Sequence, residues 1–451
     1  MLGVRLIYLL NEVEKMLVNY KFENFMSFKD SNEFSMLGVR SFKEHEEDNL
    51  LNINNKKILR SSVIYGNNAS GKSNFINSIA FMKYFVLNSF KNALSEESTI
   101  EPLFFLLNDD SVSQPSKFEV SFIFEKIDYK FGFELFSNSV VKEYLYYKPN
   151  KKEIYLYKRE NSKIDINKTS FIEGIDLKSK TKDNVLFLSV VAQFNGDIST
   201  KVIEWFKNIN IISGTNDIGF SSFTISRLQN DKKFNSWISR ILQSLEIANI
   251  SIAELDTKDI ELIKNKDKIK NKAVQTIISA LYDLSINKKH LQINLWHKKF
   301  RSNNVVSDCI PFDFNTQESE GTKRLVYLLG PWYDTLKYGK ILIVDELDTR
   351  LHTLIVKFLI QFFHQLNINN AQLIFSSHDV NLLDKDFFRR DQIWFAEKNQ
   401  FGISNLYSLS DFKALNVRNT SSFEKNYLFG KFGAISYLKI NRSFAEDLFN
   451  E

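Results

Sequence analysis

The chain has 451 residues, enough for about three ordinary domains or for one large domain that carries an insert. Hydrophobic residues make up 43% and charged residues 25%, which excludes a chain that is disordered throughout. The 59 basic and 54 acidic residues leave a net charge of +5, which permits contact with nucleic acid without requiring it.

Residues 1–15 contain a short apolar stretch without a cleavage site for a leader, and we interpret them as an N-terminal extension. No run approaches the roughly 18 apolar residues that crossing a bilayer needs, so we expect a cytoplasmic protein without a membrane partner. The single cysteine, Cys309, excludes an internal disulfide framework and fits the same compartment. His290 and His297 are too isolated to predict a metal site.

Residues 16–100 predict a strand, a second strand, a loop that contains glycines, and a helix. Apolar and polar residues alternate over Val18–Phe28, and an apolar run closes Ile58–Tyr65, so both segments predict strands. Apolar residues at helical spacing then predict a helix over 73–88.

Residues 101–310 predict an inserted region. Phe118–Phe136 and Val141–Tyr157 alternate apolar and polar residues, which predicts antiparallel hairpins. The pattern between about 183 and 284 is mostly helical. Five lysines alternate with other residues over Lys264–Lys272, which favours a solvated loop or ribbon, with contact to nucleic acid as the alternative.

Residues 311–451 return to alternating helices and strands. Helices are predicted over Thr322–Leu336 and Asp348–Leu366, and short buried strands over Ile341–Val344 and Leu373–Phe375. Strands separated by helices predict a parallel sheet with right-handed crossovers, and hence an α/β fold.

The segment GNNASGKS, residues 66–73, fits the phosphate-loop pattern G-x-x-x-x-G-K-[ST] between a predicted strand and a predicted helix. Lys72 should reach the β and γ phosphates of a nucleotide, and Ser73 should ligate Mg²⁺. The alternative is a glycine turn that only caps a helix, but with 15 glycines in the chain a chance match is not expected. The predicted nucleotide-binding residues here are Gly66, Asn67, Asn68, Ala69, Ser70, Gly71, Lys72, Ser73 and Asn74.

An acid pair and a histidine follow two later strands. Four apolar residues run directly into Asp345 and Glu346, which is the form of a Walker B motif. Asp345 should hold the magnesium shell, while Glu346 orients the attacking water or accepts its proton. His378 closes the next strand and could hydrogen-bond the γ-phosphate or that water. The alternatives are a pair of surface acids and a structural histidine.

These motifs resemble the ABC-type ATPase heads of the RecF/SMC class, and more narrowly the stand-alone bacterial AAA-type ATP-binding proteins of abortive-infection and phage-defence systems. The match covers roughly the first hundred residues, including Asn24–Phe28, and the last 140 or so. The resemblance implies a P-loop NTPase head with a mixed sheet, bound to ATP and Mg²⁺. The head would be built from residues 16–100 and 311–451, with an inserted β-hairpin and helical lobe at 101–310.

The resemblance also implies a site shared between two heads. Ser319 and Gly321 match the serine and second glycine of the family's signature motif. Glu318, Glu320 and Thr322 depart from it, and the two acids should face away from phosphate. In the family these residues contact the ATP of another subunit, so a homodimer or higher oligomer is implied. The alternative is that Ser319 simply caps a helix.

Two further family positions are less well defined. Asp348 would lie in the D-loop and would help to bind the nucleotide. No motif identifies the glutamine of the Q-loop, and Gln114 and Gln193 are the candidates.

The resemblance implies an ATPase whose ATP-driven dimerisation controls a separate effector, a nuclease or toxin, in anti-phage defence. The alternative is a DNA repair or recombination ATPase that acts directly on nucleic acid. A transporter subunit is disfavoured by the insert of hairpins and helices, and a small-molecule kinase would not need Ser319, Gly321 and His378 in this order. Too few residues follow His378 for a fused nuclease domain.

Overall fold

The computed structural model describes residues 14–92, 102–246, 249–255, 290–412 and 422–434. The chain divides into two compact units, the first made of residues 1–216 and 334–451 and the second of residues 217–333. Most of the predicted extension and the whole of Lys264–Lys272 lie outside the described residues.

The described strands and helices are numbered in chain order. The strands are β1 (Lys15–Glu23), β2 (Asn32–Ser35), β3 (Leu50–Ile53), β4 (Lys56–Leu59), β5 (Ser61–Tyr65), β6 (Ser116–Phe124), β7 (Ile127–Phe136), β8 (Ser139–Lys148), β9 (Ile154–Glu160), β10 (Lys163–Ile166), β11 (Ile209–Ser213), β12 (Asn249–Leu255), β13 (His290–Phe300), β14 (Val306–Asp313), β15 (Ile341–Asp345), β16 (Gln372–Ser376), β17 (Ile393–Lys398) and β18 (Ser404–Ser408). The helices are α1 (Glu46–Asn49), α2 (Lys72–Asn92), α3 (Phe187–Gln193), α4 (Asp197–Lys207), α5 (Ile218–Asn230), α6 (Lys232–Ser244), α7 (Glu320–Tyr338), α8 (Thr353–Leu366) and α9 (Phe423–Leu428).

A six-stranded sheet forms one layer of the first unit, in the order β11-β15-β16-β5-β17-β18. All neighbouring strands are parallel except the last pair, β17 and β18. Strands β5 and β16 are buried along their whole length, as expected for apolar strands covered on both faces. The predicted α/β fold with a mixed sheet is confirmed.

A seven-stranded antiparallel sheet forms a second layer of this unit, in the order β10-β9-β8-β7-β6-β1-β2. The two predicted hairpin segments form β6 to β9, each with its neighbour as partner. Strand β1 pairs with β6, so residues 16–100 and 101–310 meet in one sheet. The compact units divide the chain after residues 216 and 333, and the predicted boundaries at 101 and 310 stay predictions.

Helix α2 joins the two layers through its apolar residues. The ring of Phe85 lies 5.3 Å from that of Phe133 on β7, and the ring of Phe75 lies 6.0 Å from that of Phe22 on β1. The opposite side of α2 packs on β11 and β15. The core of this unit is thus a sheet, a helix layer and a second sheet.

Three predicted elements differ from the structure at their ends. The strand predicted to continue to Phe28 stops at Glu23, because Asn24 and Met26 adopt positive φ angles of 52° and 49° and the chain turns back. The segment Ile58–Tyr65 is divided between β4 and β5. The helix predicted from Asp348 begins at Thr353, since the preceding residues form a turn and His352 caps the helix.

The stretch predicted to be mostly helical, from about 183 to 284, contains α3 to α6 and also the strands β11 and β12. Its residues 247–248 and 256–284 lie outside the described residues. The second unit combines α5, α6 and α7 with an antiparallel sheet in the order β12-β13-β14. Rings of Phe234 on α6 and Tyr333 on α7 lie 5.1 Å apart in its core.

Helix α7 carries a proline, Pro331, in its interior. Because proline has no N–H, the carbonyl of Tyr327 four residues earlier loses its helical donor. The Thr224 hydroxyl supplies a donor instead, 2.6 Å from that carbonyl oxygen. Gly330 leaves the space for this contact, since a Cβ there would overlap the Thr224 side chain. The helix therefore continues through the proline with this carbonyl satisfied.

Candidate nucleotide-binding site

The phosphate loop leaves the buried end of β5 and enters α2. Gly66 and Gly71 have φ angles of 155° and 117°, which side chains rarely adopt. A Cβ at Gly66 would overlap the carbonyl oxygen of Ala396, and one at Gly71 would lie 2.6 Å from Ser404 Oγ. Both glycines are therefore required by space as well as by conformation.

Lys72 opens helix α2 and is 4% exposed. Its ammonium donates to the carbonyl oxygens of Gly66 at 2.7 Å and Asn67 at 3.0 Å. Burial lowers the pKa of Lys72 to about 8, although the nearby carboxylates of Glu346 and Asp345 act in the opposite direction. The loop thus holds a buried cation that makes no direct contact with a carboxylate among the described residues.

Buried hydroxyl groups hold the base of the loop. Ser404 Oγ donates to the carbonyl oxygen of Ser70 at 2.7 Å and lies 2.8 Å from Ser27 Oγ, to which Asn74 also donates. Sequence patterns did not identify Ser404, because it follows the phosphate loop by more than 300 residues and no motif surrounds it. Its contact depends on β18 reaching the edge of the sheet beside the loop.

The acid pair lies at the end of β15 and is held by β16. Ser376 Oγ donates to Asp345 Oδ1 at 2.6 Å and accepts from the Glu346 N–H at 2.7 Å. His378, two residues beyond β16, places Nε2 3.3 Å from Glu346 Oε1. Its backbone N–H donates to the Asp348 carboxylate at 3.2 Å. Ser376 was missing from the predicted site.

The phosphate loop and the acid pair meet at His378. Its Nδ1 lies 3.5 Å from Lys72 Nζ, while its Nε2 faces Glu346. The structure thus brings together Lys72, Glu346, His378 and Asp348, which the sequence placed in one site from separate motifs. Their roles with a nucleotide stay predictions.

The signature residues lie in the second unit, at the start of α7. Ser319 Oγ accepts from the Thr322 N–H at 3.1 Å, so Ser319 caps the helix. Glu318 Oε1 lies 2.6 Å from His297 Nε2 on β13, and Glu320 pairs with Lys323 at 2.9 Å. Both acids beside the signature therefore have a cationic or hydrogen-bonding partner.

The Q-loop candidates lie on the surface. Gln114 follows a short 3₁₀ turn, and its carbonyl oxygen accepts from the Asn24 side chain at 2.9 Å. Gln193 is the last residue of α3. Both side chains are exposed, and the choice between them stays open.

The loop fits a phosphate chain, and the acid pair fits Mg²⁺. Ser70 Oγ is buried without a hydrogen-bond partner in the described part of the chain, which leaves one donor for a ligand at the loop. The described residues contain no group of three or more histidine, cysteine, aspartate or glutamate side chains that could hold a metal. Mg²⁺ bound with phosphate needs few protein ligands, and Ser73 with Asp345 would supply them.

A glycine-bearing loop between a buried strand and a helix, beside an acidic strand end, defines a P-loop NTPase fold. A family model described as "AAA domain, putative AbiEii toxin, Type IV TA system" matches residues 61–384. The chain belongs to this family, which confirms the resemblance to AAA-type ATP-binding proteins. No curated protein matches the chain.

Solved structures with similar folds include heads of SMC proteins. The SMC head domain from Thermotoga maritima is 13% identical with a TM-score of 0.36, over 87% of this chain and 98% of that one. An SMC head bound to the C-terminal winged-helix domain of ScpA is 12% identical with a TM-score of 0.41, over 89% and 99%. An SMC head with an extended coiled coil, bound to the C-terminal domain of ScpA and derived from Pyrococcus furiosus, is 11% identical with a TM-score of 0.35, over 93% and 99%.

No helix in the described ranges combines the length and the apolar content that a membrane span requires.

Proposed function

We propose that the chain is an Mg²⁺-dependent ATPase of the ABC/SMC-like type. The observation that carries this proposal is the meeting of Lys72, Glu346 and His378 at neighbouring strand ends, with His378 within 3.5 Å of both other side chains. A phosphate-binding cation and a carboxylate that can orient water are the two groups that hydrolysis of a phosphoanhydride needs.

Binding of ATP would use groups that the loop already presents. The Lys72 ammonium would exchange the carbonyl oxygens of Gly66 and Asn67 for oxygens of the β and γ phosphates, which are stronger acceptors because they are charged. The N-terminus of α2 points its partial positive charge at the same place. Ser73 and Asp345 would hold Mg²⁺, which when bound neutralises charge on the phosphates.

Hydrolysis would depend on the Glu346 carboxylate. It would orient a water molecule toward the γ-phosphate and accept its proton. His378 would hold Glu346 Oε1 through Nε2, and the hydroxyl of Thr349 donates to the other oxygen at 3.2 Å. Two partners fix the carboxylate, which supports a role in positioning rather than a free surface acid.

We infer that a second copy of the chain completes the site. The start of α7 presents Ser319 and Gly321 at an exposed helix end, and the acids on either side of Ser319 are paired with His297 and Lys323. Pairing reduces the repulsion that these acids would otherwise exert on a phosphate. The helix end could then receive the γ-phosphate of ATP bound to another subunit.

ATP-driven association would control a separate effector, a nuclease or toxin, in anti-phage defence. The family's description, which names a putative toxin of a toxin–antitoxin system, supports a role of this kind over one in transport. Direct action on nucleic acid remains the second candidate from the sequence, but its lysine stretch lies outside the described residues, and no described contact favours it.

Exchange of Glu346 for Gln tests the proposed hydrolysis. The amide keeps the shape of the side chain but cannot accept a proton, so Glu346→Gln should bind ATP as the wild type does and lose turnover by about 100-fold or more. Binding is measured by calorimetry and turnover by phosphate release. Glu153→Gln, an exposed glutamate on the seven-stranded sheet side of the unit, is the matched control and should leave both unchanged. Near wild-type turnover in Glu346→Gln would rule out the assigned role.

A further inference from the structure

Gly214 lies immediately after β11, against the turn that carries Glu346. Strand β11 pairs in parallel with β15, and their register places Ser213 opposite Asp345. A Cβ added to Gly214 would lie well inside 3.0 Å of the carbonyl oxygens of both Asp345 and Glu346, and 2.9 Å from the Glu346 carbonyl carbon. All these neighbours are backbone atoms, so no change of side-chain rotamer could make room.

Space, and not backbone conformation, is what requires glycine at this position. Gly214 is buried, and its φ lies outside the left-handed region, so its backbone angles would accept another residue. Gly219, five residues later, would place a Cβ in open space with no atom within 4 Å. The chain thus contains two nearby glycines of which only the first is pressed against the acid pair.

The turn at Glu346 is fixed between two neighbouring strands. On the side of β16, Ser376 bonds both the Asp345 carboxylate and the Glu346 N–H, and its carbonyl oxygen accepts from the Leu347 N–H at 3.1 Å. On the side of β11, Gly214 lies against the carbonyl groups of Asp345 and Glu346. Glu346 has a φ of 52°, a conformation that costs about 1 kcal/mol or more for a residue other than glycine. Such backbones persist where their surroundings hold them.

We propose that Gly214 is a positioning residue for ATP hydrolysis. By allowing the backbone just after β11 to approach the carbonyl groups of Asp345 and Glu346, it sets the position of the Glu346 carboxylate relative to His378 Nε2. This inference rests on the proposed ATPase function. A side chain at position 214 would force either the end of β11 or the turn at Glu346 to move. A misplacement of about 1 Å in a catalytic group can lower the rate on the order of 100-fold.

A comparison of Gly214→Ala with Gly219→Ala tests this role in the full-length chain. Affinity for ATP is measured by calorimetry with Mg²⁺ chelated, because the phosphate loop lies on β5 and α2 and does not touch Gly214. Turnover with Mg²⁺ is then expressed per chain that binds ATP, so that a loss of folded protein does not imitate a loss of catalysis. Gly214→Ala should keep its ATP affinity within about threefold and lose turnover by about 10- to 100-fold, while Gly219→Ala should match the wild type in both.

Three outcomes would overturn the assignment. Equal turnover in the two variants would show that the turn tolerates a side chain at position 214. An equal loss of ATP affinity and turnover in Gly214→Ala would indicate general damage to the site. Failure of Gly214→Ala to fold, with Gly219→Ala folded, would make Gly214 a requirement of the fold alone. Absence of turnover in the wild-type chain would instead contradict the proposed ATPase function. Failure of the role assigned to Gly214 and failure of the proposed function therefore give different results.

Discussion

At the scale of single residues, Lys72 is a buried cation whose hydrogen-bond acceptors in the phosphate loop are neutral. Its hydrogen bonds go to carbonyl oxygens of its own loop, and burial lowers its pKa to about 8. The lowered pKa means that the free protein loses this charge as the pH rises through about 8. A bound phosphate chain favours the charged form and should raise the pKa again.

Affinity for ATP should therefore fall above pH 8, and binding there should take up a proton. Calorimetric titrations at pH 9 in two buffers of different ionisation enthalpy should give different heats, with an uptake approaching one proton for each ATP. At pH 7, where Lys72 is already charged, the uptake should be close to zero. Equal heats in the two buffers at pH 9 would contradict the assignment of this proton to Lys72.

At the scale of elements, helix α7 depends on a contact from outside the helix. Pro331 removes the donor for the Tyr327 carbonyl, and the fully buried Thr224 hydroxyl replaces it at 2.6 Å. The same hydroxyl lies 3.0 Å from the carbonyl oxygen of Phe220, which is four residues earlier in helix α5. This second acceptor is more distant than the Tyr327 carbonyl. The integrity of α7 at its proline is thus linked to one side chain of α5.

Exchange of Thr224 for Val should destabilise the protein by about 1–3 kcal/mol, because a nearly isosteric side chain leaves a partly buried carbonyl without a donor. Denaturant unfolding measures this free energy. Ser222→Ala, on the exposed side of the same helix, also removes a hydroxyl that bonds a helical carbonyl and should stay within about 0.5 kcal/mol of the wild type. Equal stability of the two variants would indicate that the Tyr327 carbonyl finds another donor.

Local patterns predicted those elements whose form is determined by neighbouring residues. Strand β5, the phosphate loop and α2 follow from an apolar run, two glycines and helical spacing within about 30 residues. The end of β1 could not be predicted in this way. Asn24 leaves the strand because its side chain bonds the carbonyl oxygens of Ser111 and Gln114, which are almost 90 residues away. The alternation of apolar and polar residues along a strand does not predict contacts with distant residues.

The residues of the candidate site also fall into two groups, those that short motifs predict and those that only contacts with distant residues reveal. Lys72, Asp345, Glu346 and His378 each belong to a short motif, and strand order then brings them together. Ser376, Ser404 and Gly214 act by touching residues that are distant in the chain, and no pattern around them distinguishes them from other serines and glycines. The full sheet order β11-β15-β16-β5-β17-β18 was needed to find them.

At the scale of the whole molecule, the site that we propose would be completed by a second chain. The phosphate loop belongs to the first unit, and Ser319 belongs to the second. If Ser319 acts on the ATP of a partner, Ser319→Arg should bind ATP but fail to hydrolyse it, since the bulky cation obstructs the helix end. Lys72→Ala should fail to bind ATP.

Mixing these two variants should restore activity. A mixed dimer sets the intact phosphate loop of one subunit against the intact Ser319 of the other, so an equal mixture should recover about a quarter of wild-type turnover in a symmetric dimer. Turnover of the mixture is measured by phosphate release, and mixed dimers are verified by differently tagged subunits. Turnover at or below the sum of the two variants, with mixed dimers present, would falsify the shared site and leave Ser319 as a helix cap.

The pairing of β11 with β15 has a consequence for how the chain can change in evolution. These strands are parallel neighbours, yet residues 217–333 intervene between them. Two parallel neighbouring strands are usually connected by a crossover that contains a single helix. Here the crossover from β11 to β15 contains the whole second unit, which includes the sheet β12-β13-β14. Apart from the start of α7, which carries Ser319 and Gly321, the unit could therefore grow or shrink among relatives while the strand order around the acid pair stays constant. Such changes would leave the residues proposed for ATP hydrolysis in place.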